Sequence, residues 1–102
     1  MNRRNTPRAK VNVLINRFLD GHPYMCRMTD ISPTGLRLIP LLEPKGVPRY
    51  MGLQFQLPGV DAVLTASAEA VEGAPGVPGT GVRFTNLPPE CESLIRRFVE
   101  MN

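Results

Sequence analysis

Met51-Gly52-Leu53-Gln54-Phe55-Gln56-Leu57 alternates apolar residues with glycine or amide side chains without a break. Successive strand residues point to opposite faces, so this period of two predicts a half-buried strand. Met51, Leu53, Phe55 and Leu57 face a core, and Pro58-Gly59 ends the run. Downstream, Ala62–Glu72 reads as a longer strand, with Leu64, Ala66, Ala68 and Ala70 opposite Thr65, Ser67 and Glu69. Those small side chains suggest close packing against the sheet. Residues 73–79 are a loop, Gly81-Val82-Arg83-Phe84 a short last strand, and Pro88-Pro89-Glu90 the start of a helix. Proline suits a first helical turn, where its missing N–H costs nothing, and Glu90 and Glu92 suit the positive end of the dipole. Leu94, Ile95, Phe98 and Val99 form its apolar stripe, and Arg96 and Arg97 fall toward its negative end.

Upstream of Met51, Pro40, Pro44, Gly46 and Pro48 force an irregular crossing over 40–50. Before it, Leu36, Leu38 and Pro40 oppose Arg37 and Ile39 in a third strand. Ser32-Pro33-Thr34-Gly35 reads as a type I turn with proline where φ near −65° is wanted. Tyr24–Ile31 and the alternating Val11, Val13 and Ile15 make a hairpin joined by Asp20-Gly21-His22-Pro23. Gly and Pro supply about a fifth of the 102 residues (9 and 11), which cuts the chain too finely for a helical bundle. The reading is one mainly β domain: a six-stranded antiparallel, split β-barrel with a C-terminal α-helix over 88–101. Closure into a barrel also removes exposed sheet edges.

Charge is unevenly spread. The net charge is +3, yet Arg3, Arg4, Arg8 and Lys10 with no acid make residues 1–10 a basic arm, leaving 11–102 slightly acidic. A near-neutral body with 6% aromatic residues argues against a nonspecific nucleic-acid binder, which needs a basic face and stacking side chains. Two cysteines 65 positions apart are no disulfide framework, and no apolar run approaches the ~18 residues of a membrane span. The expected location is cytoplasmic. Catalysis and metal binding lack an inventory: His22 is the only histidine and sits in a turn, Cys26 reads as a small core residue, and Cys91 lies on the helix. Met25, Met28 and Met51 read as core fillers, and Arg37 and Arg83 as solvated or partner-facing.

Two patterns remain. Arg4-x-x-x-Arg8, preceded by Arg3, lies on the arm; Asp30-x-Ser32-x-x-Gly35 lies at the turn between strands two and three. Because the arm runs into strand one, which pairs with strand two, both patterns fall at one end of the barrel. Arginine forks bind phosphate or read guanine O6 and N7, and a carboxylate accepts from guanine N1–H and N2–H. A serine hydroxyl beside a turn glycine suits a phosphate oxygen. The bland alternative for Asp30 and Ser32 is local turn capping.

RxxxR followed by DxSxxG, then GVRF and a closing helix, resembles the PilZ domain family from Arg3 to about Val99. The resemblance implies a bacterial, non-enzymatic receptor for the second messenger cyclic di-GMP, acting through a protein partner, with no cofactor. Arg4 and Arg8 would clamp guanines and phosphates, Asp30 and Ser32 would meet a guanine edge and a phosphate, and Gly35 would permit close backbone approach. Arg3 resembles the residue of members that take up two stacked ligand molecules. Ligand would order the arm. The alternative is a nucleotide-independent PilZ-like interaction adaptor.

Overall fold

The structure is a computed structural model that describes residues 7–71, 76 and 78–102. Arg3 and Arg4, and most of the 73–79 loop, lie outside the described residues. Six antiparallel strands, β1 (Ala9–Leu19), β2 (His22–Ser32), β3 (Gly35–Pro40), β4 (Tyr50–Phe55), β5 (Leu64–Val71) and β6 (Thr80–Asn86), precede helix α1 (Pro89–Met101). The strands close in the order β1-β2-β3-β6-β5-β4. The seam that closes the barrel is short: β1 meets β4 through Asn16↔Gln54, Arg17↔Leu53 and Phe18↔Gly52.

The alternating apolar residues face inward. Ile15, Cys26, Met28, Ile31, Leu36, Leu38, Leu53, Leu64, Ala68 and Val82 are buried together with Cys91, Ile95, Phe98 and Val99 of α1. The helix follows β6 at the end of the barrel where the β2–β3 turn lies, and packs against β2. Pro88 is its N-cap, and it runs to Met101, so Arg96 and Arg97 are interior to it and no basic residue occupies its last turn. Arg96 instead pairs with Glu92 one turn back, at 2.9 Å.

Three boundaries differ from the sequence reading, each for a packing reason. β1 begins at Ala9, inside the expected arm of residues 1–10, because Ala9 pairs with Ile31 and is 2% exposed. The first turn is two residues long: Asp20 and Gly21 carry φ of 52° and 82°, the hand that matches strand twist, so His22 and Pro23 belong to β2. β5 begins at Leu64 rather than Ala62, and Glu72 at its expected end lies outside the described residues.

A fourth difference decides where the motif points. Met28 pairs with Leu38 and Asp30 with Arg37, so Thr29 is one residue more than β3 can match, a β-bulge. Strict alternation would send Asp30 and Ser32 inward behind Cys26 and Met28. The bulge turns Ile31 into the core instead and leaves Asp30 and Ser32 on the outer face. Across the sheet from Thr29, β1 carries its own irregularity between Lys10 and Val13.

At the opposite end the 41–49 crossing joins β3 to β4 across the barrel mouth. Inside it, the inward alternation of β1 places Arg17, 2% exposed, between Ile15 and Leu19. Arg17 Nη2 donates to Glu43 Oε1 at 2.7 Å, while its Nε has no partner among the described residues. Burial pushes the neighbouring Cys26 thiol up to about 11, with Arg17 opposing that rise. Glu43 therefore both neutralises a buried cation and ties the crossing down. Glu43→Ala should cost about 1–3 kcal/mol, the penalty for stranding a buried charged donor, read as a lowered urea midpoint.

Candidate functional site

Arg8, just ahead of β1, reaches across to the outward residues of β2. Its Nε and Nη2 both donate to Asp30 Oδ1, at 3.2 and 2.7 Å, and its Nη1 lies 3.4 Å from Ser32 Oγ. The end of RxxxR and the start of DxSxxG are thus one cluster, as their strand pairing requires. The Arg8 side chain remains 45% exposed and that of Asp30 24%, so both offer atoms to solvent or ligand. An ion pair that wet contributes only ~0.2–1 kcal/mol. Its value lies in placement.

Ser32 is different. It is fully buried, and its hydroxyl accepts from the Thr34 and Gly35 backbone N–H groups at 3.2 and 3.3 Å while lying 3.2 Å from the Gly35 carbonyl oxygen. The Thr34 hydroxyl sits at 3.1 Å. Ser32 therefore holds the Pro33–Thr34 turn and steadies Arg8, the capping chemistry that its residue type also allows. Gly35 has an equally local reason. A Cβ there would collide with the Val82 carbonyl oxygen and crowd the Arg83 Cα. The close approach that Gly35 permits in this structure is that of β6 to β3.

The pairing extends the site beyond the motifs. Ser32 faces Gly35, Gly35 faces Arg83, Arg83 faces Glu69, and Glu69 faces Tyr50, one row on the outer face of four strands beyond β2. The next row is Lys10, Asp30, Arg37 and Gly81. Gly35 and Gly81 thus make a floor without side chains, bordered by Arg8, Lys10, Arg37 and Arg83. Arg37 donates to the Pro78 carbonyl oxygen at 3.4 Å, and Arg83 donates to Glu69. The sequence alone reads both arginines as solvated or partner-facing.

Glu69 itself lies on the outer face yet is 6% exposed. The Arg83 hydrogen bond, helped by the charges of Arg83 and Arg49 and by Tyr50, holds its carboxyl below the ordinary value of 4.5. Arg49 Nε is 3.5 Å from the other oxygen, and its guanidinium lies 5.7 Å from the Tyr50 ring centroid. A cavity of about 300 Å³ adjoins this region, lined by Pro33, Thr34, Arg83, Leu87 and Arg96 among others. A groove of about 350 Å³ at the β1–β4 split is lined by Val13, Leu14, Met25 and Phe55 with the amides of Asn16, Gln54 and Gln56. No charged side chain lines that groove, so it does not suit an anion. Among the described residues no group of three or more His, Cys, Asp or Glu could hold a metal ion, and no helix is long and apolar enough to cross a membrane.

A family model for the PilZ domain matches residues 2–101. Among solved structures, the Bacillus subtilis inhibitor of motility, MotI/DgrA, superposes with a TM-score of 0.78 at 11% identity, covering 99% of this chain and 51% of that one. The chain therefore spans about half the length of that relative. An uncharacterized Legionella protein superposes with a TM-score of 0.60 at 16% identity, covering 92% of this chain and 90% of that one. Likeness at these identities is a likeness of fold. No curated protein matches the chain.

Two outcomes follow from this geometry. Gly35→Ala should destabilise the fold by about 1–3 kcal/mol, as overpacking against fixed backbone does, measured by urea denaturation. Glu69, with its folded-state carboxyl titrating below 4.5, contributes stability that is present above that pH and lost as pH falls through the folded value. The melting temperatures of the parent and Glu69→Gln should therefore differ most near neutrality and converge in acid.

Proposed function

The chain belongs to the PilZ domain family, whose members are generally non-enzymatic binding domains, and on that footing we propose that it is a receptor for cyclic di-GMP. The observation that carries the reading is the Arg8 guanidinium seated on Asp30 and Ser32, which gathers the two sequence motifs into one basic, solvent-reached corner. Arg8 offers a planar fork to guanine or phosphate, and Asp30 offers a carboxylate to the N1–H and N2–H edge that guanine alone presents in that form. Ser32 and Gly35 keep the turn and the β3–β6 approach that hold this corner in shape. Arg4 completes the clamp from the arm, and Arg3 serves a second, stacked ligand molecule; these two assignments rest on the sequence.

The ligand acts by giving the arm fixed partners through charge-assisted hydrogen bonds, and the changed surface is read by a protein partner. Isothermal titration of cyclic di-GMP into the protein, with GTP and cyclic di-AMP as controls, tests the reading. Saturable binding selective for cyclic di-GMP is expected. Arg8→Ala should weaken it about 10–100-fold, since a bidentate arginine–guanine contact is worth roughly 1–3 kcal/mol, with little change in melting temperature. Arg3→Ala should change the ligand count more than the affinity. No heat and no thermal shift with the unchanged protein would contradict the receptor reading and favour the nucleotide-independent adaptor.

A further inference from the structure

Arg83 is the cation that neither motif includes and that the barrel nonetheless brings to the same face. β6 is separated from β1 by β2 and β3, so at ~4.8 Å per strand the two arginines stand on either side of a floor roughly 14 Å across. Along the row that ends at Arg83, that floor is made of Ser32, which is buried, and Gly35, which has no side chain. Arg83 is 58% exposed even though it donates to Glu69, and Nη2 is the only one of its nitrogens bonded among the described residues. The hydrogen bond to Glu69 anchors one edge of the guanidinium, and its Nε and Nη1 carry no hydrogen bond among the described residues. Arg49, on the far side of Glu69, shares the carboxylate and leaves Arg83 less than fully neutralised.

We propose that Arg83, positioned by Glu69, is a further binding residue of this site and takes the second phosphoryl group of the cyclic dinucleotide whose first half is held by Arg8. The inference rests on the receptor reading and deepens it. A cyclic dinucleotide carries two phosphodiester anions on one ring, and an anion at each end requires a cation at each end. Position 35 carries no side chain between Arg8 and Arg83, because the Val82 carbonyl oxygen of β6 occupies the place of a Cβ. Arginine at Arg83 supplies a fork that lysine cannot, because one edge must stay on Glu69 while another meets the ligand.

Titration calorimetry with cyclic di-GMP tests this in Arg83→Ala, Arg83→Lys, Glu69→Gln and, as a control on the exposed side of the helix, Arg97→Ala. Arg83→Ala should lose about tenfold or more in affinity. Arg83→Lys, which keeps a cation over Glu69 and therefore the fold, should also lose affinity, although less. Glu69→Gln should weaken binding with an unchanged ligand count, and Arg97→Ala should not alter it. Melting temperatures measured on the same samples separate loss of ligand from loss of fold. Full affinity in Arg83→Lys and in a folded Arg83→Ala, with Arg8→Ala still defective, overturns this proposal and leaves the receptor reading standing. No binding by the unchanged protein overturns both.

Discussion

One extra residue in β2 determines what the outer face of this barrel can do. With Thr29 unmatched by β3, the side chains beyond it change sides. Ile31 enters the core at 0% exposure, and Asp30 and Ser32 come out beside Arg8. Without the bulge, Asp30 would be a carboxylate aimed into an apolar interior, at a cost of several kcal/mol that a domain of this size does not have to spare. The Thr29 hydroxyl, 3.4 Å from the Arg37 carbonyl oxygen, adds a local contact at the irregular position. Bulges re-aim side chains in this way where regular pleating would waste them.

The two buried charges among the described residues, Arg17 and Glu69, divide the labour. Arg17 lies within the barrel under the 41–49 crossing and is answered by Glu43, so that end is closed by an ion pair. Glu69 lies on the outer face under Arg83 and Arg49, so that pair shapes a surface. The first arrangement secures the one connection that must span the barrel mouth. The second fixes an arginine in line with Gly35 and Ser32. The closing helix stands at the Ser32 end and fills it with Ile95, Phe98 and Val99, while Gly35 and Gly81 lie on the side wall.

Much of this was legible in the sequence because period-two alternation and turn chemistry are local. The strand from Met51, the two-residue turn at Pro33–Thr34, the inward methionines Met28 and Met51, and the meeting of Arg8 with Asp30 all follow from residues within a few positions of one another or from a single hairpin. What was not legible is non-local. Nothing in Cys26-Arg27-Met28-Thr29-Asp30 announces a bulge, because the mismatch exists only against the length of β3. Glu69 reads as an outward polar residue and is outward, but its surroundings are Tyr50 and Arg83 on neighbouring strands and Arg49 at the end of the crossing. Arg17 continues an inward alternation that a charged residue would ordinarily break, and its partner lies in the irregular crossing. Arg96 and Arg97 are interior to the helix, which ends at Met101 within the span of 88–101 that the sequence predicts.

The central claim is that Arg8 and Arg83 are two sides of one anion site on the outer face, and that Arg17 serves only the fold. Arginine side-chain N–H resonances of the ¹⁵N-labelled protein, followed by NMR through a titration with cyclic di-GMP and assigned by single substitutions, read all three at once. The account predicts that the Arg8 and Arg83 signals move together along one saturation curve while the buried Arg17 signal stays in place. Saturable movement of Arg8 with Arg83 unmoved, or no movement of either at saturating ligand, would contradict it.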